Sequence, residues 1–271
     1  MSADAPPPQV ERDYPLARLT TVRTGGSGEF FARASSTEVL QQLLAWAAGS
    51  GLEVGIVGSG SNLLIADEGV RGLVVKLDGE LAAIQVQGTT ILCGGGARLP
   101  AVAARAARAG LSGIEFGVNI PGTVGGAVKM NANAYEGELG RVLEWVEVVT
   151  AAGVQRRGPG ELGLAYRRSA LGPGEIVARA SLALLAAERE LVQATLEEMR
   201  RRRHEAQPQG IKTLVRRSRT RTTPARRGPR RGSCWRGRAA TGWLSAARAS
   251  PPSTRTSSRT PVRRRRPTCS R

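Results

Sequence analysis

The sequence predicts an α/β or α+β domain over residues 15–206. Two observations carry this: apolar runs of strand length and apolar stripes of helical period mix along this stretch, and Gly, Pro and polar turn residues punctuate them. Residues 1–14, "MSADAPPPQVERDY", are polar and Pro-rich and are expected to form a disordered lead. They contain no apolar h-region of a secretory signal. "STEVLQQLLAWAAGSG" reads as a helix, with Ser35 and Glu38 offering a capping box. Val39, Leu40, Leu43, Leu44 and Ala47 make one apolar face, and Gly49 or Gly51 supplies the stop. "EVGIVG" is expected to be a short buried strand that runs straight into "SGSNLL". "GLVVKL" (72–77) and "TILCGGG" (90–96) are further strands, and "LPAVAARAARAG" (99–110) is a second helix ending at Gly110. "GRVLEWVEVVTAAG" and "GEIVARASLALL" return to strand. "AERELVQATLEEMRRRRHEAQ" (187–207) is a long amphipathic helix. Beyond Thr213 neither period is present.

Charge divides the chain more sharply than hydropathy does. The net charge of +18 would suggest a nucleic-acid or membrane partner. Residues 214–271, however, hold eighteen arginines and no Lys, Asp or Glu, which leaves 22 basic and 22 acidic residues in 1–213. All the excess lies in the tail. The three cysteines, Cys93, Cys234 and Cys269, are too scattered for a disulfide framework or a CxxC metal site, and no metal is expected. No apolar run approaches the roughly 18 residues that span a bilayer. A soluble cytoplasmic protein with no membrane partner is therefore expected. His204, among "RRRRHEAQ", is expected on a solvated helix face.

Two motifs suggest chemistry. In "VGSGSNLLIADEG" a strand ends in Gly58-Ser59-Gly60-Ser61-Asn62 before apolar residues resume at Leu63. Glycines let a backbone approach an anion, and successive N–H groups in such a turn form a phosphate nest. This is neither the GxGxxG fingerprint opening a helix nor a P-loop. The residues alone leave the nest and a plain tight turn both open. The second motif, "GIEFGVNIPGTVGGAVKMNANAYEGELG", is a long loop rich in Gly and Pro. It holds Gly117, Pro121, Gly122, Gly125 and Gly126 and leads to Asn131, Asn133 and Tyr135. A loop this long with so many backbone donors points to a ligand rather than to a hinge.

"GSGSNLLIADEGVRGLVV", "IPGTVGGAVKMNANAYEGE" and "AYRRS" stand in an order and at a spacing that resemble the UDP-N-acetylenolpyruvoylglucosamine reductase family. "TTVRTGGSGEFF" (20–31) and "QPQG" (207–210) resemble it as well, so the likeness covers residues 15–213. The resemblance implies an α+β protein with the FAD-binding fold of the vanillyl-alcohol-oxidase/PCMH type. Two α+β subdomains would span 15–186, and 187–213 would be a helix and the start of a substrate-binding domain. It implies FAD as cofactor, NADPH as co-substrate and a UDP-sugar as substrate, whose enolpyruvyl group is reduced in peptidoglycan precursor synthesis. Gly58, Ser59, Gly60, Ser61, Asn62 and Leu63 would hold the FAD pyrophosphate. Pro121, Gly122, Thr123, Gly125 and Gly126, with Asn131 and Ala134, would line the flavin and its ribityl chain. Arg167 matches the family's active-site arginine and Tyr166 its substrate-binding neighbour. A cation there suits the negative charge that develops at the substrate's C2 and carboxylate. Asn133 and Glu136 stand where the family pattern leads one to expect glycine.

After "IKT" (211–213) the likeness stops. The family continues with a pattern like G-S-T-F-K-N-P, whose serine is the general acid, and later with F-S-P-K-H-A-N-F-V-E-N and a C-terminal glutamate. Residues 214–224, "LVRRSRTRTTP", can be encoded so that the reading one nucleotide before the Val215 codon gives G-S-T-F-K-N-P-D-D. "ARASPPSTRTSSRTP" (247–261) in the same offset can give G-A-R-F-S-P-K-H-A-N-F-V-E-N-T. Residues 214–271 are thus expected to be an out-of-register reading of the substrate domain. Such an Arg-rich tail should be disordered, with the substrate domain largely lost and activity impaired. Two alternatives stay open: another FAD-dependent oxidoreductase of the same fold, and a flavoprotein with an Arg-rich nucleic-acid arm. Against the second, only Trp235 and Trp243 could stack on bases, so no specific nucleic-acid partner is expected. A monomer is expected.

Overall fold

A computed structural model describes residues 5–206, and its first strand, β1 (Val10–Pro15), lies where the sequence suggests a disordered lead. β1 pairs antiparallel with β2 (Ser27–Ala34). Its stability comes from distant partners that local composition does not reveal. Tyr14 stacks on Phe31 with ring centroids 4.0 Å apart, and the Arg12 guanidinium lies 4.9 Å from the centre of the Phe30 ring.

Helix α1 (Thr37–Gly49) follows. Its cap is Ser36, not Ser35: the Ser36 hydroxyl accepts from Val39 N at 3.4 Å. Glu38 falls in the first turn, where its hydrogen bond with Ser36 lowers its pKa. Gly51, at φ +65°, follows the helix as expected. Strand β3 (Val54–Ile56) is an edge strand rather than a buried one, and only its Gly55 is buried. With β4 (Val70–Leu77) these elements complete a four-stranded sheet in the order β1-β2-β4-β3, in which β4 runs parallel to both β2 and β3.

The second sheet is antiparallel and five-stranded. It contains β5 (Ile84–Gln87) and β6 (Thr90–Gly94); helix α2 (Leu99–Arg108) and short strand β7 (Leu111–Ser112) follow in the chain. The stretch 113–140 holds more order than a loop. It forms helix α3 (Val124–Lys129) and a hairpin of β8 (Asn133–Ala134) and β9 (Gly137–Glu138). Glycines are tolerated inside α3 because its backbone presses on another: a Cβ on Gly125 would lie 3.2 Å from Gly95 O. Strands β10 (Leu143–Thr150), β11 (Gly153–Arg157) and β12 (Ile176–Ala183) then complete the order β11-β10-β12-β6-β5. β13 (Leu185–Ala186) pairs with β7 and leads into α4 (Arg189–Ala206).

The packing is layered. α1 buries Leu40, Leu43, Leu44 and Ala47 against Phe30, Leu73 and Val75 of the first sheet and Val149, Ile176 and Ala178 of the second. The other face of the second sheet, through Ile91, Val146, Val148, Ala180 and Leu182, buries α2, α3 and the Val192–Leu196 face of α4. A smaller core of Leu16, Phe31, Val57 and Val74 covers the outer face of the first sheet. His204 is exposed on α4, as expected. Cys93 is buried in the second core, and burial pushes its thiol pKa up to about 12, so it packs as an apolar residue. Cys234, Cys269, the "QPQG" segment and all of the expected Arg-rich tail lie outside the described residues. Among the described residues no helix is long and apolar enough to cross a membrane.

Candidate functional site

β3 gives out at Ile56, and Val57 N makes the last ladder bond, to Val75 O at 2.9 Å. From Gly58 to Leu63 the backbone N–H groups donate to no acceptor among the described residues. Gly60 is itself buried. The other residues of the loop are half-buried or exposed, so its N–H groups are open to an acceptor from outside the chain, solvent or ligand. Both glycines are steric necessities. Gly60 has φ +63°, and a Cβ there would lie 1.9 Å from Leu19 O; a Cβ on Gly58 would lie 2.5 Å from Thr123 Oγ1.

The Gly58–Thr123 contact joins the first glycine motif to the second. Leu99 N donates to Gly122 O at 3.0 Å and Val124 N to Ala97 O at 2.8 Å, which clamps the Pro121–Thr123 segment against the start of α2. The N–H groups of Gly122 and Thr123 are, like those of Gly58–Leu63, without an acceptor among the described residues. Ser59 Oγ lies 3.2 Å from Ser61 Oγ, and Ser61 Oγ donates to Pro121 O. Loops some sixty residues apart in sequence thus share one wall of open donors, with Asn62 exposed at its rim. Their chemistry is that of an anion cradle: many N–H donors and no carboxylate among the residues from Gly58 to Leu63 or Pro121 to Gly126. It fits the phosphates of a dinucleotide cofactor.

One contributor was not legible in the sequence. Lys76, on β4, donates from Nζ to Gly58 O at 2.9 Å. Burial lowers its pKa, and the neighbouring Arg33 and Arg98 push the same way while Asp78 opposes. As one lysine on a strand, it carries no motif that would single it out.

The remaining site residues gather at the far end of α3. Asn131 is 1% exposed with φ +39°, and its amide is consumed internally. Its Nδ2 donates to Glu138 Oε1 and, at 3.3 Å, to Ala165 O, while its Oδ1 accepts from Gly140 N at 3.1 Å. Where the sequence suggests a flavin-lining residue, the structure has a buried anchor between the β8–β9 hairpin and the Ala165–Arg168 turn. That turn closes on itself through Ala165 N to Arg168 O at 2.9 Å and Arg168 N to Ala165 O at 3.0 Å. Tyr166 and Arg167 form its tip. Tyr166 is 79% exposed, and Arg167 is exposed with φ +54°, a left-handed conformation that a non-glycine residue adopts at a cost.

Tyr166 shares a cavity of about 310 Å³ with the hairpin residues Asn133, Ala134, Tyr135, Glu136, Gly137 and Glu138. The hairpin tip is strained too, with φ +48° at Tyr135 and +64° at Glu136, the pair of positive values a type I′ turn requires. The glycine expected from the resemblance at position 136 would suit that geometry. Tyr135 OH accepts from Asn119 Nδ2 at 3.0 Å and lies 3.3 Å from Met199 O, which ties the hairpin to α4.

Comparison with known proteins gives this arrangement its relatives. Residues 29–158 match the FAD binding domain, a span that holds both glycine loops and the hairpin but stops short of Tyr166 and Arg167. UDP-N-acetylenolpyruvoylglucosamine reductase of Rubrobacter xylanophilus is 39% identical over 203 residues, covering 74% of this chain and 68% of the relative. The chain belongs to the UDP-N-acetylenolpyruvoylglucosamine reductase family. A second member, UDP-N-acetylenolpyruvoylglucosamine reductase 2 of Symbiobacterium thermophilum, is 43% identical over 204 residues, covering 74% of this chain and 66% of that protein. The crystal structure of the reductase from Thermus caldophilus superposes with a TM-score of 0.65 at 39% identity, covering 73% of this chain and 70% of that one. This chain thus matches about two thirds of the length of its relatives. The fold is the α+β FAD-binding fold of the vanillyl-alcohol-oxidase/PCMH type, as the sequence resemblance implies.

Proposed function

We propose that residues 15–206 form an FAD-holding module of a UDP-N-acetylenolpyruvoylglucosamine reductase. Its pyrophosphate would lie on the Gly58–Leu63 loop and its flavin and ribityl chain along Pro121–Gly126 towards Ala134. The observation that carries this reading is the shared wall of unsatisfied N–H groups, from Gly58 to Leu63 and at Gly122 and Thr123. Bound FAD would supply hydride transfer from NADPH to the enolpyruvyl carbon of a UDP-sugar. The chain's own contribution is positional and electrostatic: Arg167 presents a cation from a strained exposed turn, and Tyr166 borders the cavity beside it. Asn131 holds that turn to the hairpin through its buried amide. Titration of the purified chain with FAD, followed by quenching of flavin fluorescence, tests the reading. Saturable binding at one site per chain supports it, and a protein that stays flavin-free sinks it.

For activity we infer a loss. By family resemblance the general-acid serine and the C-terminal glutamate belong to the region that 214–271 replaces, and neither Val215 nor Arg216 can donate a proton in the serine's place. A one-nucleotide frame slip near codon 214 accounts for the eighteen arginines there. Sequencing the gene tests this, and codons that cannot yield the family pattern in the shifted frame would overturn it. Restoring the frame should bring NADPH-dependent reduction of the UDP-sugar up by at least about 10²-fold. On this reading the protein acts in the cytoplasm, as a monomer, and its basic tail has no specific nucleic-acid partner.

A further inference from the structure

We propose that Lys76 is a positioning residue for the cofactor pyrophosphate, acting through the Gly58–Ser59 peptide; this rests on the FAD reading above. The Lys76 ammonium donates to Gly58 O at 2.9 Å. The described residues contain no cis peptide, so the carbonyl of Gly58 and the N–H of Ser59 point in opposite directions. Fixing the carbonyl on the Lys76 side turns Ser59 N–H outwards, into the row of donors that have no acceptor. A second consequence is electrostatic. Among the described residues Lys76 makes no ion pair, although Arg33, its register partner on β2, pairs with Asp78 at 3.5 Å. Arg98 is the other cation close enough to disfavour the Lys76 charge. Arg33 and Arg98 thus disfavour the Lys76 charge, and Asp78, which favours it, is paired with Arg33, so among the described residues Lys76 has no ion-pair partner as a counter-charge. A pyrophosphate seated on the N–H groups would supply it, and would relieve the repulsion between neighbouring cations. Lys76 thus sets both the direction of one donor and the sign of the field behind all of them.

The experiment uses the full chain and two probes, FAD and inorganic pyrophosphate as its competitor. Lys76→Met should weaken FAD binding by roughly tenfold or more, the worth of a charge-assisted contact. Pyrophosphate should compete with FAD on the wild-type protein, and its inhibition constant should rise in the same proportion in Lys76→Met. Lys76→Arg, which keeps charge and donor, should restore most of both. FAD loss with an unchanged pyrophosphate constant would mean that Lys76 only props the fold, and the proposal fails. It fails equally if pyrophosphate does not compete with FAD on the wild type, or if Lys76→Met binds FAD normally. Should Lys76→Met not fold, Lys76→Gln keeps a donor without the charge and decides by the same two constants. A wild-type chain that binds no FAD would instead remove the cofactor reading itself.

Discussion

The glycine cradle and the Tyr166–Arg167 turn represent opposite ways of building a site. The cradle is over-determined: Gly58 and Gly60 sit against Thr123 and Leu19 with no room for a methyl group, and Ser61 ties one loop to the other. Its backbone path is confined by these contacts, and its N–H groups have no acceptor among the described residues. The turn is fixed at its base and free at its tip. Asn131, Ser169 and Ala170 hold its flanks, through Ala165 O at 3.3 Å, Lys129 O at 3.0 Å and Leu162 O at 2.7 Å. Tyr166 and Arg167 themselves stay exposed. A rigid, donor-lined cradle suits a cofactor that remains bound, whereas an exposed cation suits a substrate that comes and goes.

The largest expected effect breaks the rigid half. Gly60→Ala places a Cβ within 1.9 Å of Leu19 O at φ +63°, where no side chain can yield because the obstacle is backbone. It should cost about 2–4 kcal/mol of stability and reduce FAD binding at least about a hundredfold. Thermal melting and flavin titration of the variant check both. A variant with wild-type FAD affinity would show that the loop can relax, against the comparison drawn here. Next in size is Asn131→Leu, which strands Gly140 N, removes one of the two donors to Ala165 O and takes the amide partner from half-buried Glu138. A loss of about 3 kcal/mol is expected, read as a lower urea midpoint. If Asn131 were instead an exposed ligand contact, stability would hardly move and only FAD affinity would fall.

How much of this was legible in the sequence follows from what each feature depends on. Helices α1, α2 and α4 and the strands rich in Val, Ile and Leu announce themselves by period, because burial of one face leaves that mark. The glycine motifs were legible for a local reason: a φ of +63° or a backbone approach under 2 Å excludes other residues. β1 was missed because its stabilising partners, Phe30 and Phe31, belong to another segment. The hairpin β8–β9 was missed because Tyr135 and Glu136 occupy a turn that favours Asn and Gly. The internal partners of the Asn131 amide are not legible either, since sequence cannot say whether an amide faces outwards or inwards. Lys76 could not be found at all. Its importance lies in a carbonyl eighteen residues earlier in the chain.

Two variants sharpen the contrast from the flexible side. Glu136→Gly removes the left-handed penalty at φ +64° and should stabilise the hairpin by about 0.5–1 kcal/mol, visible as a raised melting temperature. A melting temperature that falls would mean that the Glu136 side chain makes up more than the turn costs. Arg167→Lys should shift stability by less than about 0.5 kcal/mol and leave FAD affinity unchanged, because the Arg167 side chain is exposed at the turn tip. Loss of FAD binding in this variant would place Arg167 in the cradle and erase the distinction between the two regions.

The smallest effect is a pH dependence at the far anchor of the same loop. Arg157 Nη2 and Glu175 Oε1 lie 2.7 Å apart, and Glu175 also accepts from Gly172 N at 2.6 Å. The hydrogen bond from Arg157 is the main cause that holds the Glu175 carboxyl below its usual value of 4.5; Gly172 and Lys129 add to it and burial opposes. Because the folded-state value is depressed, the stabilisation is fully present above the unfolded value near 4.5 and is lost as pH falls through the folded value. The pair is one-fifth exposed on each side, so its worth is about 1 kcal/mol. Glu175→Gln should therefore lower stability at pH 7 and have progressively less effect as pH falls below about 4, seen in paired urea melts at both pH values. An equal loss at both would mean that the carboxylate charge is irrelevant and that the loop is held by shape alone. The cost should fall on the loop base, with flavin affinity at pH 7 unchanged, since the cradle shares none of these contacts.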